Sequence, residues 1–385
     1  MSAESKKSNI IRVPGRELSH KWLRPASLKP FWDFMSKRKE FDLKLIGHSV
    51  EGREIYALDW GYGLERIMAW SQMHGNESTA SYALIDLCEC ILNGALAALE
   101  SKLRLRLIIM LNPDGSEYYK RRNAVGIDLN RDVISREAPE TKAFFKALED
   151  FDPHWAFNLH DQRNIFAAGD SGRTATLSFL APSFNLERSI NPDRKKTMQL
   201  IAAIHKQLED LAPAHFGRYT DEFYPRALGD NLVKQGVPCL LFESGAYPDD
   251  PKRKKARELC YEGFKAALEL IVSRGWKEFE LKDYWSIPEN QSNLRDMIFR
   301  DLDFKGLKID LALMRVEKVN PDSMTWEEYY KVDDIGDLKH LKGIEEYNQF
   351  SLEATHGLDL DQKAEFVLSS NIKNFKFSNG ILQKR

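Results

Sequence analysis

In the stretch WSQMHGNESTA, residues 70–80, a histidine and a glutamate stand three positions apart among small and polar residues. An imidazole and a carboxylate at i and i+3, placed where a strand gives way to a helix, can turn toward one point, so His74 and Glu77 are candidate metal ligands. A loop histidine followed by a glutamate in the first helical turn looks the same, and a pair alone does not decide. A catalytic zinc takes three protein ligands from His and Asp or Glu and keeps one position for water, so a third ligand is required. Of the nine histidines, His160 in FNLHDQRN is the strongest candidate, because it ends an apolar strand. His154 stands at the opposite end of that strand and should point away. His48 lies in a turn, and His20, His205, His215, His340 and His356 lie in helical or tail contexts that read as surface or packing positions. Glu243 closes the apolar run VPCLLFE, where an unpaired charge is costly to bury unless it is used.

These residues need elements to position them. LKLIGHSVEGREIYALDWG has two apolar-rich stretches separated by SVEGRE, which predicts a β-hairpin with glycine at its tip. RIMAWSQ predicts a buried strand running into His74, and STASYALIDLCECIL a helix from about Ser78. LRLRLIIML predicts a strand that leaves through a sharp turn at NPDG. ETKAFFKALEDF and RKKTMQLIAAIHKQLEDL have helical periodicity; HWAFNLH, TATLSFLAP and VPCLLFESG read as strands. The last helix, RKKARELCYEGFKAALELIVSRG, is expected to stop at Gly275. Such alternation over residues 40–275 implies an α/β fold, a mixed central sheet with helices on both faces, in which ligands bind at the carboxyl ends of strands. Every chemically interesting residue above sits at such an end. Beyond Trp276 the short alternating runs, such as LKIDLALMRVEKV, predict a smaller β-rich C-terminal domain. The expected division is an extension over 1–39, a catalytic domain over 40–277 and an accessory domain over 278–385.

The composition narrows the function classes. With 43% hydrophobic and 30% charged residues among 385, the chain can fill a sizeable core under a solvated surface. Its 56 basic and 58 acidic residues leave a formal charge of −2, without the basic excess that phosphate-backbone binding needs, so no nucleic-acid partner is expected. Four cysteines, none in a CxxC pair, form neither a disulfide framework nor a zinc ribbon. No secretory signal or membrane-spanning run is visible, and the chain reads as cytoplasmic, with no membrane partner.

Five blocks, IGHSVEGREI, HGNE, NPDG, GIDLNRD and a late FE, occur in the order in which they occur in zinc carboxypeptidases of the carboxypeptidase A type. The chain resembles that family over roughly residues 40–275. The resemblance implies one zinc ion per chain, held by His74, Glu77 and His160. It implies a metallocarboxypeptidase in which Glu243 is the general base that activates the zinc-bound water, acting on a peptide or amide substrate with a free carboxylate. Asp128 in GIDLNRD matches the aspartate that accepts a hydrogen bond from a ligand histidine and fixes its tautomer. Asn130 and Arg131 match the pair that binds the terminal carboxylate, which a guanidinium can grip through two parallel hydrogen bonds. Arg121 in KRRN matches the oxyanion arginine, with Arg122 as the competing choice.

Three further positions are carried over from the family. Tyr224 in FYPRALGDNL is the choice for the mobile tyrosine over bound substrate, with Tyr219 and Tyr247 as substitutes. Asp230, with Asn231, falls where the family lines its side-chain pocket, and Arg53 matches a groove arginine. The run Lys252–Arg257 reads as a solvated helix face. Asp161, after the third ligand, replaces a usual small residue and adds charge beside the site; the short span from Asn130 to His160 implies an open cleft. No activation propeptide is apparent before residue 40. An alternative use of the same scaffold is a zinc amidase or deacylase acting on cell-wall peptides or N-acyl amino acids.

Overall fold

The hairpin expected after Leu43 opens the architecture. In the computed structural model, which describes residues 10–17, 20–353, 358–371 and 373–383, α1 (Pro25–Met35) precedes β1 (Asp42–His48) and β2 (Glu54–Trp60), which pair antiparallel. Gly52 turns the chain between them with φ of 78°, a left-handed conformation that glycine adopts without steric cost. His356, read above as a tail histidine, lies outside the described residues, as do residues 1–9 of the N-terminal extension.

β3 (Glu65–Trp70) then leads through the His74–Glu77 loop into α2 (Thr79–Leu92). β4 (Leu103–Ile108), α3 (Pro113–Glu117), α4 (Pro139–Phe151) and β5 (Trp155–Asp161) follow. After the two-residue β6 (Ala167–Ala168) come β7 (Leu177–Leu180), α5 (Pro192–Leu208), β8 (Phe216–Arg218), α6 (Leu228–Lys234), β9 (Cys239–Ser244), α7 (Lys254–Ser273) and α8 (Leu281–Trp285).

The first sheet has the order β1-β2-β4-β3-β5-β9-β7-β8. Its centre, β4-β3-β5-β9, is parallel, while β1-β2, β2-β4 and β9-β7 are antiparallel. Both faces are buried, which is why β3 reads as a continuous apolar run. Ile67 and Ala69 join the core under α1, α2, α5 and α7, whereas Met68 and Trp70 join the core under α4 and α6. The mixed sheet with helices on both faces is therefore the α/β arrangement expected from the sequence.

A second, eight-stranded sheet follows. Ahead of it β10 (Asn290–Gln291) pairs with β6 in a separate two-stranded sheet, and within it β11 (Leu294–Phe304), β12 (Leu307–Asn320) and β13 (Thr325–Gly336) form long antiparallel ladders. β14 (Lys342–Asn348) pairs parallel with β11, and β15 (Ser351–Glu353), β16 (Phe366–Ser369), β17 (Asn374–Ser378) and β18 (Ile381–Gln383) complete the sheet. Its own apolar cluster gathers Met297, Phe299, Leu313, Phe375 and Phe377.

Three local expectations are corrected. Asn112-Pro113-Asp114-Gly115 is a helix start rather than a bare turn: the Asn112 side chain accepts the Gly115 N–H at 2.8 Å, and proline sits in the first turn. α7 ends on Arg274 in the left-handed conformation, one residue before Gly275. The run Lys252–Arg257 is only partly a solvated face. Arg253 is buried and donates to the carbonyls of Ser244 (2.8 Å) and Gln162 (2.6 Å), while Arg257 grips Asp86 with Nε (2.6 Å) and Nη2 (2.7 Å).

Candidate active site

The parallel centre of the first sheet sets the site. β3 delivers the His74–Glu77 loop, β5 ends on His160 and Asp161, and β9 carries Glu243 directly opposite His160 in the ladder. All three chain exits lie at carboxyl ends of adjacent strands, the location that open α/β sheets offer to ligands.

His74, Glu77 and His160 are buried and converge, with one ligand atom of each lying within 4.8 Å of the others. His74 Nδ1 is 2.8 Å from Glu77 Oε1, and His160 Nδ1 is 2.8 Å from Glu77 Oε2. On its other side His74 Nε2 meets Asp128 Oδ1 at 3.2 Å. If that Nε2 donates to Asp128, the Nδ1 lone pair faces the Glu77 carboxylate, an acceptor against an acceptor unless a proton or a cation lies between. Two imidazole nitrogens and one carboxylate oxygen meeting in this way form a donor set that fits zinc.

The electrostatics match. Burial opposes charge on Glu77, but His74 and His160 outweigh it and hold the carboxyl well below the usual range. Burial drives the His160 imidazole down, toward the neutral form that ligates metals. Burial also opposes the charged form of His74, yet Glu77 and Asp128 raise it. Glu243 is pushed well above the ordinary carboxylate range, by burial first and then by Glu77 and Asp161.

Arg121 rather than Arg122 reaches this centre. Arg121 Nε donates to Asp128 Oδ2 at 3.0 Å, and its Nη1 lies 3.2 Å from His74 Nδ1 and 3.5 Å from Glu77 Oε1. Arg122 instead caps the Gly126 carbonyl in the open. Asn130 and Arg131 occupy a single 3-10 turn capped by Asp128, whose Oδ1 accepts the Asn130 N–H at 3.0 Å. Asn130 Oδ1 accepts the Leu228 N–H at 2.8 Å, which leaves its amide nitrogen available. The Arg131 guanidinium lies over the Tyr224 ring at 4.3 Å.

Asp230 is buried in the first turn of α6, where Oδ1 accepts the Tyr224 N–H at 2.9 Å; burial pushes its carboxyl up to about 6. Asp161 is likewise raised to about 6 by burial, although Arg253 at 3.3 Å and the Thr79 hydroxyl at 2.7 Å favour its charge. These groups line one cavity of about 780 Å³, together with Tyr219. Tyr247, the other substitute for Tyr224, packs on His215 instead. Arg53 is a correction. Its guanidinium is bound to Asp114 at 2.6 Å and to Glu51, so it ties the hairpin turn to α3 and does not line the cavity.

The cavity also has walls that no motif announced. Lys21 from the N-terminal segment, Arg163 and Phe166 after β5, Arg253 ahead of α7, and Met314, Arg315 and Glu317 of β12 all line it. A cavity of similar size beside α2 and α7 has no such donor set. There Arg16 pairs with Asp86 and Glu89, and Arg257 with Asp86.

A mixed sheet whose strand ends bring two histidines and a glutamate within ligand distance is the arrangement of an α/β metalloprotein. Residues 32–205 match the model of the family described as zinc carboxypeptidase, which makes this part of the chain similar to that family. A probable carboxypeptidase 2 of Trichophyton verrucosum is 28% identical over 134 residues, 33% of this chain and 25% of that protein. Carboxypeptidase 2 of Trichophyton tonsurans is 31% identical over 108 residues, 27% of this chain and 19% of that protein. The chain thus spans about a quarter of the length of the curated relatives it matches, or less.

Among solved structures, the fold is similar to a metallo-carboxypeptidase from Burkholderia cenocepacia, with a TM-score of 0.51 and 18% identity, covering 65% of this chain and 69% of that one. It is also similar to the carboxypeptidase A from Helicoverpa armigera, with a TM-score of 0.55 and 14% identity, covering 70% and 77%. No helix among the described residues is long and apolar enough to cross a membrane.

Proposed function

We propose that the chain is a zinc metallocarboxypeptidase, a hydrolase that removes the C-terminal residue of a peptide with a free carboxylate, using one zinc per chain. The observation that carries this reading is the presence, in one cavity, of the His74–Glu77–His160 donor set, the Glu243 carboxylate and the Asn130–Arg131 pair. In this reading residues 40–277 are the catalytic unit, residues 278–385 a β-rich accessory unit and residues 1–39 an extension. No observation favours the amidase or deacylase alternative.

His74, Glu77 and His160 would hold the ion, which when bound supplies Lewis acidity and a water acidified toward neutrality. Arg131 and Asn130 grip the terminal carboxylate and so set which bond lies over the site. Glu243 takes a proton from the attacking water as its oxygen bonds to the scissile carbon. Its conjugate acid then gives that proton to the leaving nitrogen as the C–N bond breaks. The raised proton affinity of Glu243, set first by burial and then by Glu77 and Asp161, suits that return step. Arg121, already aimed at His74 and Glu77, donates to the carbonyl oxygen as it gains charge. Tyr224 covers the clamp, and Asp230 beneath it favours a polar or basic terminal side chain.

The test is a library of peptides differing only in the C-terminal residue, incubated with the zinc-loaded protein and read by mass spectrometry. Loss of one residue from free-acid peptides, and none from C-terminal amides, is expected. Equal cleavage of amides, or cleavage only at internal bonds, overturns the reading.

A further inference from the structure

A substrate with its terminal carboxylate on Asn130 and Arg131 and its reacting carbonyl at His74, Glu77 and His160 must lay its acyl portion along the cavity's other walls. One of those walls comes from outside the first sheet, since Lys21 belongs to the N-terminal segment and Met314, Arg315 and Glu317 to β12. Lys21 Nζ binds both oxygens of Glu317, at 2.7 and 2.8 Å. His20 and Tyr119 pack edge-on against Trp326 of β13 at 4.6 and 4.7 Å. On another side Asn164 Nδ2 donates to Asp296 Oδ1 at 3.0 Å, and Asp296 Oδ2 accepts the Arg315 N–H at 2.8 Å. The wall is also fixed to the candidate ligands: Ser78, the residue after Glu77, donates its hydroxyl to the Lys21 carbonyl at 2.6 Å.

The cations on this wall differ in what remains for them to bind. Lys21 is spent on Glu317, and both terminal nitrogens of Arg253 are spent on two carbonyls, Asn164 and Asp161, which leaves only its buried Nε without a partner. Arg315 is held more loosely. Its Nη2 is 3.3 Å from Glu317 Oε1, its Nη1 reaches the exposed Glu328 at a long 3.4 Å, and its buried Nε has no partner. A guanidinium has five N–H donors in a planar fork, and burying one with donors unmet is costly. Lys21, Arg253 and Arg315 all act on the Glu317 carboxylate, and Arg163 adds an exposed cation on the same cavity.

We propose that Arg315 is a specificity-determining residue that binds a carboxylate on the acyl side of the scissile bond, so that β12 of the second sheet completes the substrate site. The inference rests on the carboxypeptidase reading for which side of the substrate meets β12. A guanidinium facing a carboxylate in a partly dry cleft supplies two parallel charge-assisted bonds, which an uncharged amide cannot replace.

The test uses the zinc-loaded full-length protein carrying Glu243→Gln, a substitution chosen to suppress turnover so that binding alone is read, and titrates it calorimetrically with two pairs of peptides. One pair shares its C-terminal residue and differs by Glu or Gln just before it; the other differs by a succinyl or an acetyl N-cap, which separates a side-chain from a cap carboxylate. The acidic member of at least one pair is expected to bind about tenfold more tightly, and adding Arg315→Met is expected to shrink that ratio to within about twofold. Equal affinity within both pairs, no binding of any peptide, or a preference undiminished by Arg315→Met overturns the proposal. If that variant does not fold, Arg315→Lys, which keeps the charge and loses the fork, is expected to reduce the preference to about threefold; an unchanged ratio overturns it. The two readings fail separately. A charge preference in binding without release of C-terminal residues by the wild type counts against the carboxypeptidase reading alone, whereas release without a preference counts against Arg315 alone.

Discussion

His160 and Glu243 are register partners on the adjacent parallel strands β5 and β9. Residues opposed in a ladder present their side chains on the same face of the sheet, so a candidate ligand and the candidate base are placed side by side by backbone pairing, with no loop between them. Glu243→Gln keeps the shape and removes the basic oxygen. It is expected to lower kcat by about 10²–10⁴-fold, the span attributed to positioned proton transfer. Zinc content, measured by elemental analysis of the purified variant, is expected to stay at the wild-type value. Retained turnover at wild-type rate would remove Glu243 from the mechanism.

Asp128 serves three neighbours at once, His74 Nε2, Arg121 Nε and the Asn130 N–H. Burial opposes its charge, but His74 and Arg121 together hold its carboxyl well below the usual range. Asp128→Asn removes the charge that orients the ring, and zinc affinity is expected to fall by roughly 10–100-fold. Competition against a chelator of known affinity measures this. An unchanged affinity would mean that His74 is oriented by its surroundings without Asp128.

Arg131 is held in place by the Asn130 carbonyl at 2.7 Å and by the Tyr224 ring, which leaves its outer N–H groups for a carboxylate. Arg131→Met is expected to cost about 2–3 kcal/mol of binding to free-acid peptides, or roughly 30–150-fold in kcat/KM. C-terminally amidated peptides should show no comparable loss. An equal loss on both substrates would assign Arg131 to structure instead of to recognition of the chain end.

What was legible in the sequence followed from backbone rules. His74, His160 and Glu243 end apolar runs, and a strand's end in an α/β sheet is a predictable place. The choice between Arg121 and Arg122 was not legible, because adjacent residues leave the chain in different directions and only the folded loop selects one. Arg53 misled because a turn arginine in a family-like block says nothing of its partner, here Asp114. α6 was missed because it is short and carries a glycine, an aspartate and an asparagine, all weak helix formers. The wall formed by Lys21 and Glu317 joins residues 296 positions apart, a contact that no local pattern encodes.

Asp230 gives the pH dependence its sign. Burial raises its carboxyl to about 6 from an ordinary 3.8, so the folded protein keeps a proton that the unfolded chain releases. Below about pH 4 both states are protonated and Asp230 costs nothing. As pH rises from about 4 to 6 the folded state is penalised, and above about 6 the loss levels off near 2–3 kcal/mol. Asp230→Asn retains an oxygen for the Tyr224 N–H at 2.9 Å and carries no charge. It is therefore expected to raise stability in urea unfolding by about 2 kcal/mol at pH 7.5 and to match wild type near pH 4. A difference that does not vary with pH would place the effect in packing. If the stabilised variant also loses selectivity among terminal side chains, the buried charge is kept for recognition at the expense of stability.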